Sequence, residues 1–513
     1  MSRPRLWAAA ALLVLAGCGG SGDTPTSPGT GTGGGTTPPP TTTLSVPAIA
    51  REFRGMWIAT VANIDWPSRN TLTVSQQQTE MNGLLDVAAN AGLNAVILQV
   101  RAAGDLIYPS TLEPWARSLT GTQGTDPGYD PLGYSVQQAH QRGLELHAWF
   151  NPFRAGNLSD TARFAPLHFA RRRPDLVRRY CGQLWFDPAE NAVQDQAIAV
   201  ITEVATRYDV DAVHIDDFFY PYPDASCPGL DFPDSATYAT YTRSGGTLNR
   251  GDWRRDNVNR FVQRMYEAVH LAAPTVKVGI SPFGIWRPGN PAGITGLDAY
   301  ASIYADSRKW LQAGWVDYFA PQLYWSTSSS GQNYNALITW WGQQNTQKRH
   351  LWPGLASYRI NDGSTAPYAA TEIPTQISIA RQQQSTTGGA TGTILYNGSS
   401  VRDNRGGFVS LLTSGLYASG ALVPATPWLD ATPPAAPSVA VSPSGSNLLV
   451  TVLGGSSDTR WYLVRWRIGT TWGQKLLPAN VASTTAPSVL ADAVVVNAVD
   501  RAGNASPDAV WRK

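Results

Sequence analysis

Asp216 and Asp217 close the run Asp211–Asp217 (DAVHIDD), and no other residues here ask as plainly for a chemical explanation. Neighbouring carboxylates at a strand end repel each other. They persist where water solvates them, where a cation such as Arg101 or Arg154 compensates them, or where a reaction needs them. Glycoside hydrolysis is such a reaction. One carboxyl protonates the leaving oxygen, and the other stabilises or attacks the oxocarbenium-like centre. Asp216, nearest Arg101 and the histidines, suits the ionised role, and either Asp217 or Glu113 suits the acid. A substrate-assisted variant, with one acid and one orienting Asp, fits the same stretch. Other chemistries lack their residues: there is no G-x-S-x-G elbow, HExxH, CxxC or GxxxxGK[ST]. His147, His214 and Asp216 could form a metal trio, but hydrogen bonding inside a core accounts for the histidines better, and no metal or cofactor is expected.

Such side chains need a scaffold. Apolar runs at 54–61, 94–101, 144–151, 211–217, 275–281, 317–324, 351–357 and 393–397 alternate with helical patterns at 75–91, 130–142, 190–208, 252–273, 299–313, 332–347 and 371–387. Eight strands alternating with helices predict an α/β fold, a (β/α)8 TIM barrel, whose active site lies at the C-terminal ends of the strands. An open doubly wound sheet would carry a Gly-rich turn after the first strand, where this chain has Ala62-Asn63-Ile64-Asp65-Trp66. Strand periodicity turns Leu144, Leu146, Ala148 and Phe150 toward the helices, and Glu145, His147, Trp149 and Asn151 toward the axis. Likewise Val213 and Ile215 face outward, His214 and Asp216 inward, with Asp217 at the lip. Gln99, Arg101 and Asp105, Ser281, and Gln322, Tyr324 and Trp325 follow at other strand ends. The long loops at the mouth carry Tyr108, Trp115, Phe153, Trp185, Tyr220 and Tyr222, which suits a groove that stacks on sugar rings.

The 513 residues carry a net charge of +2, which excludes a bulk attraction to nucleic acid. With 19 Trp, 20 Tyr and 13 Phe the chain cannot remain unfolded throughout. Its one long apolar run lies in residues 1–18, where Arg3 and Arg5 precede Leu6–Leu15, the pattern of an export signal. Leu15-Ala16-Gly17-Cys18 resembles the bacterial lipoprotein processing box. That implies lipidation of Cys18 and, with Gly at 19, a place on the periplasmic side of the outer membrane. Residues 19–47 form a tether dominated by Gly, Ser, Thr and Pro. The remaining cysteines, Cys181 and Cys227, are expected to pair in an oxidising compartment.

From residue 48 to 425 the motifs resemble, in order and at natural spacing, the glycosyl-hydrolase-like family ten. They are Arg54-Gly55-Met56-Trp57-Ile58, Trp66-Pro67, Gln99-Val100-Arg101, Gly104-Asp105 and Tyr108-Pro109-Ser110. Glu113-Pro114-Trp115, Asp126–Pro131 and His147–Pro152 follow, then His214–Pro221 and Ala320–Trp325. The resemblance implies a barrel glycosidase of the bacterial envelope acting on peptidoglycan glycan, including strands stripped of their peptides. Asp216 and Asp217 match the family's acidic strand-four motif and Glu113 its Glu-Pro-Trp loop. Motifs and strand ends together nominate Trp57, Gln99, Arg101, Asp105, His147, Trp149, Asn151, Arg154, His214, Tyr220, Gln322, Tyr324 and Trp325 as substrate-binding residues. Cys227 lies outside the motifs that carry the resemblance, so the expected Cys181–Cys227 bridge is local to this sequence.

A Pro-rich stretch, 426–437, separates the barrel from residues 438–513, where alternating strands are expected at 438–442, 447–453, 460–467, 473–477 and 493–499. The ending VVVNAVDRAGNASP resembles the last hairpin of fibronectin type III modules. The expectation is a monomeric, lipid-anchored envelope glycosidase with a β-sandwich spacer. A non-catalytic glycan-binding lipoprotein and a polysaccharide esterase or deacetylase are the alternatives.

Overall fold

The computed structural model describes residues 44–513; the export segment, Cys18 and nearly all of the tether lie outside the described residues. Nine parallel segments make one sheet, in the order His350–Leu351, Tyr318–Phe319, Lys277–Ile280, Ala212–Ile215, Glu145–Phe150, Ala95–Arg101, Phe53–Ile58, Gly392–Leu395 and Gly354–Leu355. The two end segments are halves of one run, parted by Trp352 and Pro353. Pro353 has no N–H for the ladder, but Trp352 donates to the Phe319 carbonyl and Pro353 accepts from Ile394. The sheet thus curls until its edges meet, a TIM-barrel-like cylinder, and the expected seventh strand is real but broken.

Alternation sorts the faces. Met56, Ile58, Val96, Leu98, Leu146, Phe150, Val213 and Ile215 pack outward against the helices. Phe53, Trp57, Ile97, Trp149, Tyr318 and Trp352 fill the interior. Gly279 makes room there: a Cβ would sit 1.9 Å from the Tyr318 ring, so any side chain would evict that tyrosine from the axis. Helices follow their sequence signals. Thr73 caps Val74–Asn90 in a reciprocal box with Gln76, and Asp130 caps Pro131–Gln141. The single helix expected over 299–313 is instead two, Ala299–Ser302 and Ser307–Ala313, parted where Tyr304 takes a left-handed φ of 55°.

The insertion after the third strand folds into a small antiparallel sheet of Arg154–Asn157, Gln183–Phe186 and Val177–Tyr180. A disulfide from Cys181, at its hairpin, to Cys227 ties it to the loop that follows Asp217, closing a sequence separation of 46 residues.

Beyond the barrel, two antiparallel sheets pack face to face. Ser438–Ser444, Asn447–Leu453 and Ser483–Ala486 form one; Thr471–Pro478, Thr459–Ile468, Ala493–Asp500 and Ala509–Arg512 form the other. Leu448, Val450 and Val452 meet Tyr462, Val464, Val494 and Val496 between them. The strands Ser483–Ala486 and Ala509–Arg512 lie outside the expected set, because each is only four residues long and the first, Ser-Thr-Thr-Ala, carries no large apolar residue. The start of the expected 426–437 linker is not free chain. Thr426 is buried and the Trp428 indole N–H donates to Asp317 at 2.8 Å, while Val423 reaches the barrel interior.

The sandwich docks at the strand-start end of the barrel, opposite the mouth. Arg460 donates to Asp211 at 3.0 Å and also holds Asp209, and Arg501 pairs with Asp209 as well. Asp211 in turn accepts from the Leu146 amide at 2.8 Å and meets His140 Nε2 at 2.9 Å. Burial pushes the Asp211 carboxyl up, but the Arg460 and then the His140 charges outweigh it and hold it well below the usual carboxylate range. Removing one partner leaves the other charge buried. Arg460→Ala is therefore expected to cost about 2 kcal/mol, seen as a lower midpoint in chemical denaturation at pH 7. Because this carboxyl is depressed, its contribution is present at neutral pH and fades as pH falls below about 4, so the difference from wild type narrows in acid.

Candidate active site

The strand Ala212–Ile215 delivers Asp216 and Asp217 to the mouth, where both line a recess of about 310 Å³. Trp57, Trp149 and Tyr324 wall it beside Phe218, Tyr222, Phe283 and Tyr396, with Ser281 and Gln322 as its polar margin. Rings and carboxylates in one cleft suit a sugar, whose apolar face stacks while its hydroxyls hydrogen-bond.

Donors surround the acids. Asp216 Oδ2 accepts from Trp149 Nε1 at 3.1 Å and from Asn151 Nδ2 at 3.4 Å, and Oδ1 accepts from the Phe218 amide at 3.3 Å. Asp217 accepts from the Tyr222 hydroxyl, and the Gln322 side chain also bonds to it. Arg154 lies 5.1 Å from the Phe218 ring centre and its charge acts on both acids. Even so, burial first and the Asp217 charge second push the Asp216 carboxyl up to about 7. Burial likewise raises Asp217, against the pull of Tyr222, Gln322 and Arg154. Each carboxyl's protonation depends on the other's, and both are held above the ordinary carboxylate range.

The structure gathers Trp57, Trp149, Asp216, Asp217, Gln322 and Tyr324 in this recess, with Asn151 and Arg154 in support. Trp325 packs edge-on against Phe283 at 5.5 Å, just behind the wall. His147 and His214 lie below the floor, each 2.9 Å from the Tyr318 hydroxyl through Nδ1. They converge on that hydroxyl and not on Asp216, so the metal trio does not form.

Several expectations are corrected. Arg101 and Glu113 grip each other through two bonds of 2.7 and 2.6 Å, with side chains 1% and 0% exposed. A carboxylate whose two oxygens are occupied by one guanidinium has no face for substrate, so Glu113 is removed from the acid candidates. Arg101 also donates to the Pro152 carbonyl at 3.0 Å and to that of Asn151, holding the turn that aims Asn151 at Asp216. Gln99 spends its side chain on the Thr60 and Val61 amides at 3.1 and 2.9 Å. Asp105 sits with Arg117, Gln123 and Arg154 around a separate polar recess of about 260 Å³, where Gln123 donates to it at 3.0 Å. Tyr220 lines another hollow, of about 590 Å³, where Arg254 is held by Asp231 and Asp234. Of the loop aromatics only Tyr222 reaches the acids. Tyr108, Phe153 and Trp185 are core, Trp185 donating to the Phe219 carbonyl at 2.9 Å. Conversely, Phe218, Phe283 and Tyr396 were overlooked. Tyr396 directly follows the last strand, Gly392–Leu395, so the rule that strand ends build the site would have found it.

The profile of the family described as Glycosyl hydrolase-like 10 matches residues 52–369, well over half the chain. This chain belongs to that family. The matched span includes both acids and runs from before Trp57 to beyond Tyr324; Tyr396 and the C-terminal sheets lie outside it. Among relatives is a protein named Glycosyl hydrolase YngK, from Bacillus subtilis strain 168. It is 42% identical over 407 residues, covering 77% of this chain and 78% of the relative. Another, Glycosyl hydrolase DigH of Escherichia coli K12, is 34% identical over 336 residues, covering 61% and 75% respectively. Among solved structures, the PgaB (BpsB) glycoside hydrolase domain from Bordetella bronchiseptica aligns at 13% identity and a TM-score of 0.49. It covers 71% of this chain and 98% of its own. The glycosyl hydrolase-like 10 family and its named relatives thus agree on a glycoside-hydrolase-like scaffold.

Proposed function

We propose that this protein is a glycoside hydrolase of the bacterial envelope that cleaves peptidoglycan glycan strands, including peptide-stripped ones, or a related polysaccharide. The observation that carries the reading is the buried Asp216–Asp217 pair lining a recess walled by aromatic rings. Asp217 delivers its proton to the leaving oxygen. Asp216, held by three N–H donors, is the ionised partner that stabilises the positive centre or orients a participating substituent. With a proton on Asp217, Asp216 no longer feels a neighbouring charge, and the second of the two causes that raise it disappears. In the same reading Cys18 carries the lipid anchor, residues 19–47 are the tether, and the fibronectin-III-like module 438–513 orients a monomeric catalytic domain.

Purified protein incubated with amidase-stripped and intact sacculi is expected to release new reducing ends from the stripped glycan. No release from either, or from a broad polysaccharide panel, contradicts the reading. The pH profile follows from the direction of the shifts. The acid, Asp217, must hold its proton, and burial raises its carboxyl above the ordinary range, so kcat/KM should fall about tenfold per unit once pH rises past that raised value. A rate that keeps climbing to pH 9 excludes a carboxylic acid as donor.

A further inference from the structure

We propose that Ser281 reads a hydroxyl donor of the bound glycan, and that Tyr318, well below the floor, is the positioning residue that makes Ser281 an obligatory acceptor. The inference rests on the glycan-hydrolase reading for its ligand but not for its geometry.

A buried wire runs along the barrel axis. Lys277 Nζ pairs with Glu145 at 3.0 Å, and Glu145 Oε2 lies 3.0 Å from His147 Nε2. His147 Nδ1 and His214 Nδ1 each lie 2.9 Å from the Tyr318 hydroxyl, and His214 Nε2 lies 2.9 Å from Ser281 Oγ. Burial lowers both imidazoles below their ordinary value, so each carries a single ring proton.

That proton count fixes every direction. Glu145, ion-paired to Lys277, accepts, so the His147 proton is on Nε2 and its Nδ1 is bare. Tyr318 has one proton and must give it to that bare nitrogen. Its oxygen then accepts from His214 Nδ1–H, which leaves His214 Nε2 bare. Ser281 Oγ, the nearer of the two groups at that nitrogen at 2.9 Å, donates to its one lone pair, with the Trp57 N–H as the longer contact. The mouth end gives the same answer independently: the Trp57 indole N–H, which can only donate, points at His214 Nε2 from 3.3 Å. Both ends of the wire therefore demand one tautomer.

Ser281 lines the recess, and its carbonyl is taken by Gln322 Nε2 at 2.9 Å. With its hydroxyl proton turned inward, Ser281 offers the recess only lone pairs. A sugar hydroxyl satisfies them; an ether oxygen or an acylated hydroxyl at that position does not.

The test uses the full chain labelled with 15N in its histidine rings, with resonances assigned through His147→Gln and His214→Gln. Ring shifts from pH 5 to 9 should report two neutral imidazoles, protonated on Nε2 in His147 and on Nδ1 in His214. A proton on Nε2 of His214, or its conversion to imidazolium in that range, overturns the proposal. In kinetics on amidase-stripped glycan, Ser281→Ala and Tyr318→Phe should each lower kcat/KM about tenfold, and the double variant should lose no more than the worse single one. Fully additive losses contradict the coupling. If the wild type cleaves no glycan, the functional reading fails while the ring spectra still decide the wire.

Discussion

Asp217→Asn is expected to fold with an unchanged or higher melting temperature and to lose at least about a thousandfold in kcat/KM, equivalent to ~4 kcal/mol of transition-state stabilisation. An amide keeps the bonds to Tyr222 and Gln322 but cannot protonate a leaving oxygen, so the loss should fall in kcat with binding retained. Pelleting with sacculi should therefore match wild type. The stability half follows from linkage. A carboxyl raised in the folded state contributes stability that is fully present below the unfolded value near 3.8 and lost as pH rises through the folded one, about 7 for Asp216. Above pH 7 the native protein holds a buried charge that an amide removes. Both Asp216→Asn and Asp217→Asn should gain on wild type between pH 4 and 8, by up to about 4 kcal/mol shared over the pair. Calorimetry at pH 4.5 and 8 checks this. Variants that lose activity and stability together would mark the acids as structural.

Glu113→Gln should do the reverse. It leaves the Arg101 charge buried, with the Asn151 and Pro152 carbonyls among its remaining acceptors, and is expected to destabilise the protein by about 3–5 kcal/mol. The effect on kcat per folded molecule should stay below about tenfold, because the pair acts only by holding the turn that carries Asn151. Denaturant midpoints combined with active-fraction titration separate the two. An intact midpoint with a thousandfold loss of kcat would return Glu113 to the role of general acid.

These paired expectations also mark where sequence reasoning stops. Strands and helices were legible because burial on one face imposes a period of 2 or 3.6, and the same period put His147, Trp149, His214 and Asp216 inside. Contacts between elements leave no such trace. Nothing in the spacing of Arg101 and Glu113 announces that they close on each other. Nothing in Tyr220-Pro221-Tyr222 tells which tyrosine faces Asp217, since a loop has no fixed parity. The seventh strand breaks at Trp352-Pro353 inside an apolar run that reads as continuous, and a left-handed Tyr304 splits a helix whose apolar spacing does the same. The chemistry of Asp216 and Asp217 was visible as an electrostatic oddity, whereas the donors that hold them come from three separate stretches of chain, 149–154, 218–222 and Gln322, and required the fold.

The decisive measurement is a crystal structure of Asp217→Asn soaked with an oligosaccharide of the glycan it is proposed to cleave. The glycosidic oxygen should lie within about 3 Å of the residue 217 side chain, with sugar rings against Trp57 and Tyr324. An oligosaccharide bound elsewhere on the protein, with the recess left to solvent, would contradict glycan hydrolysis by the Asp216–Asp217 pair.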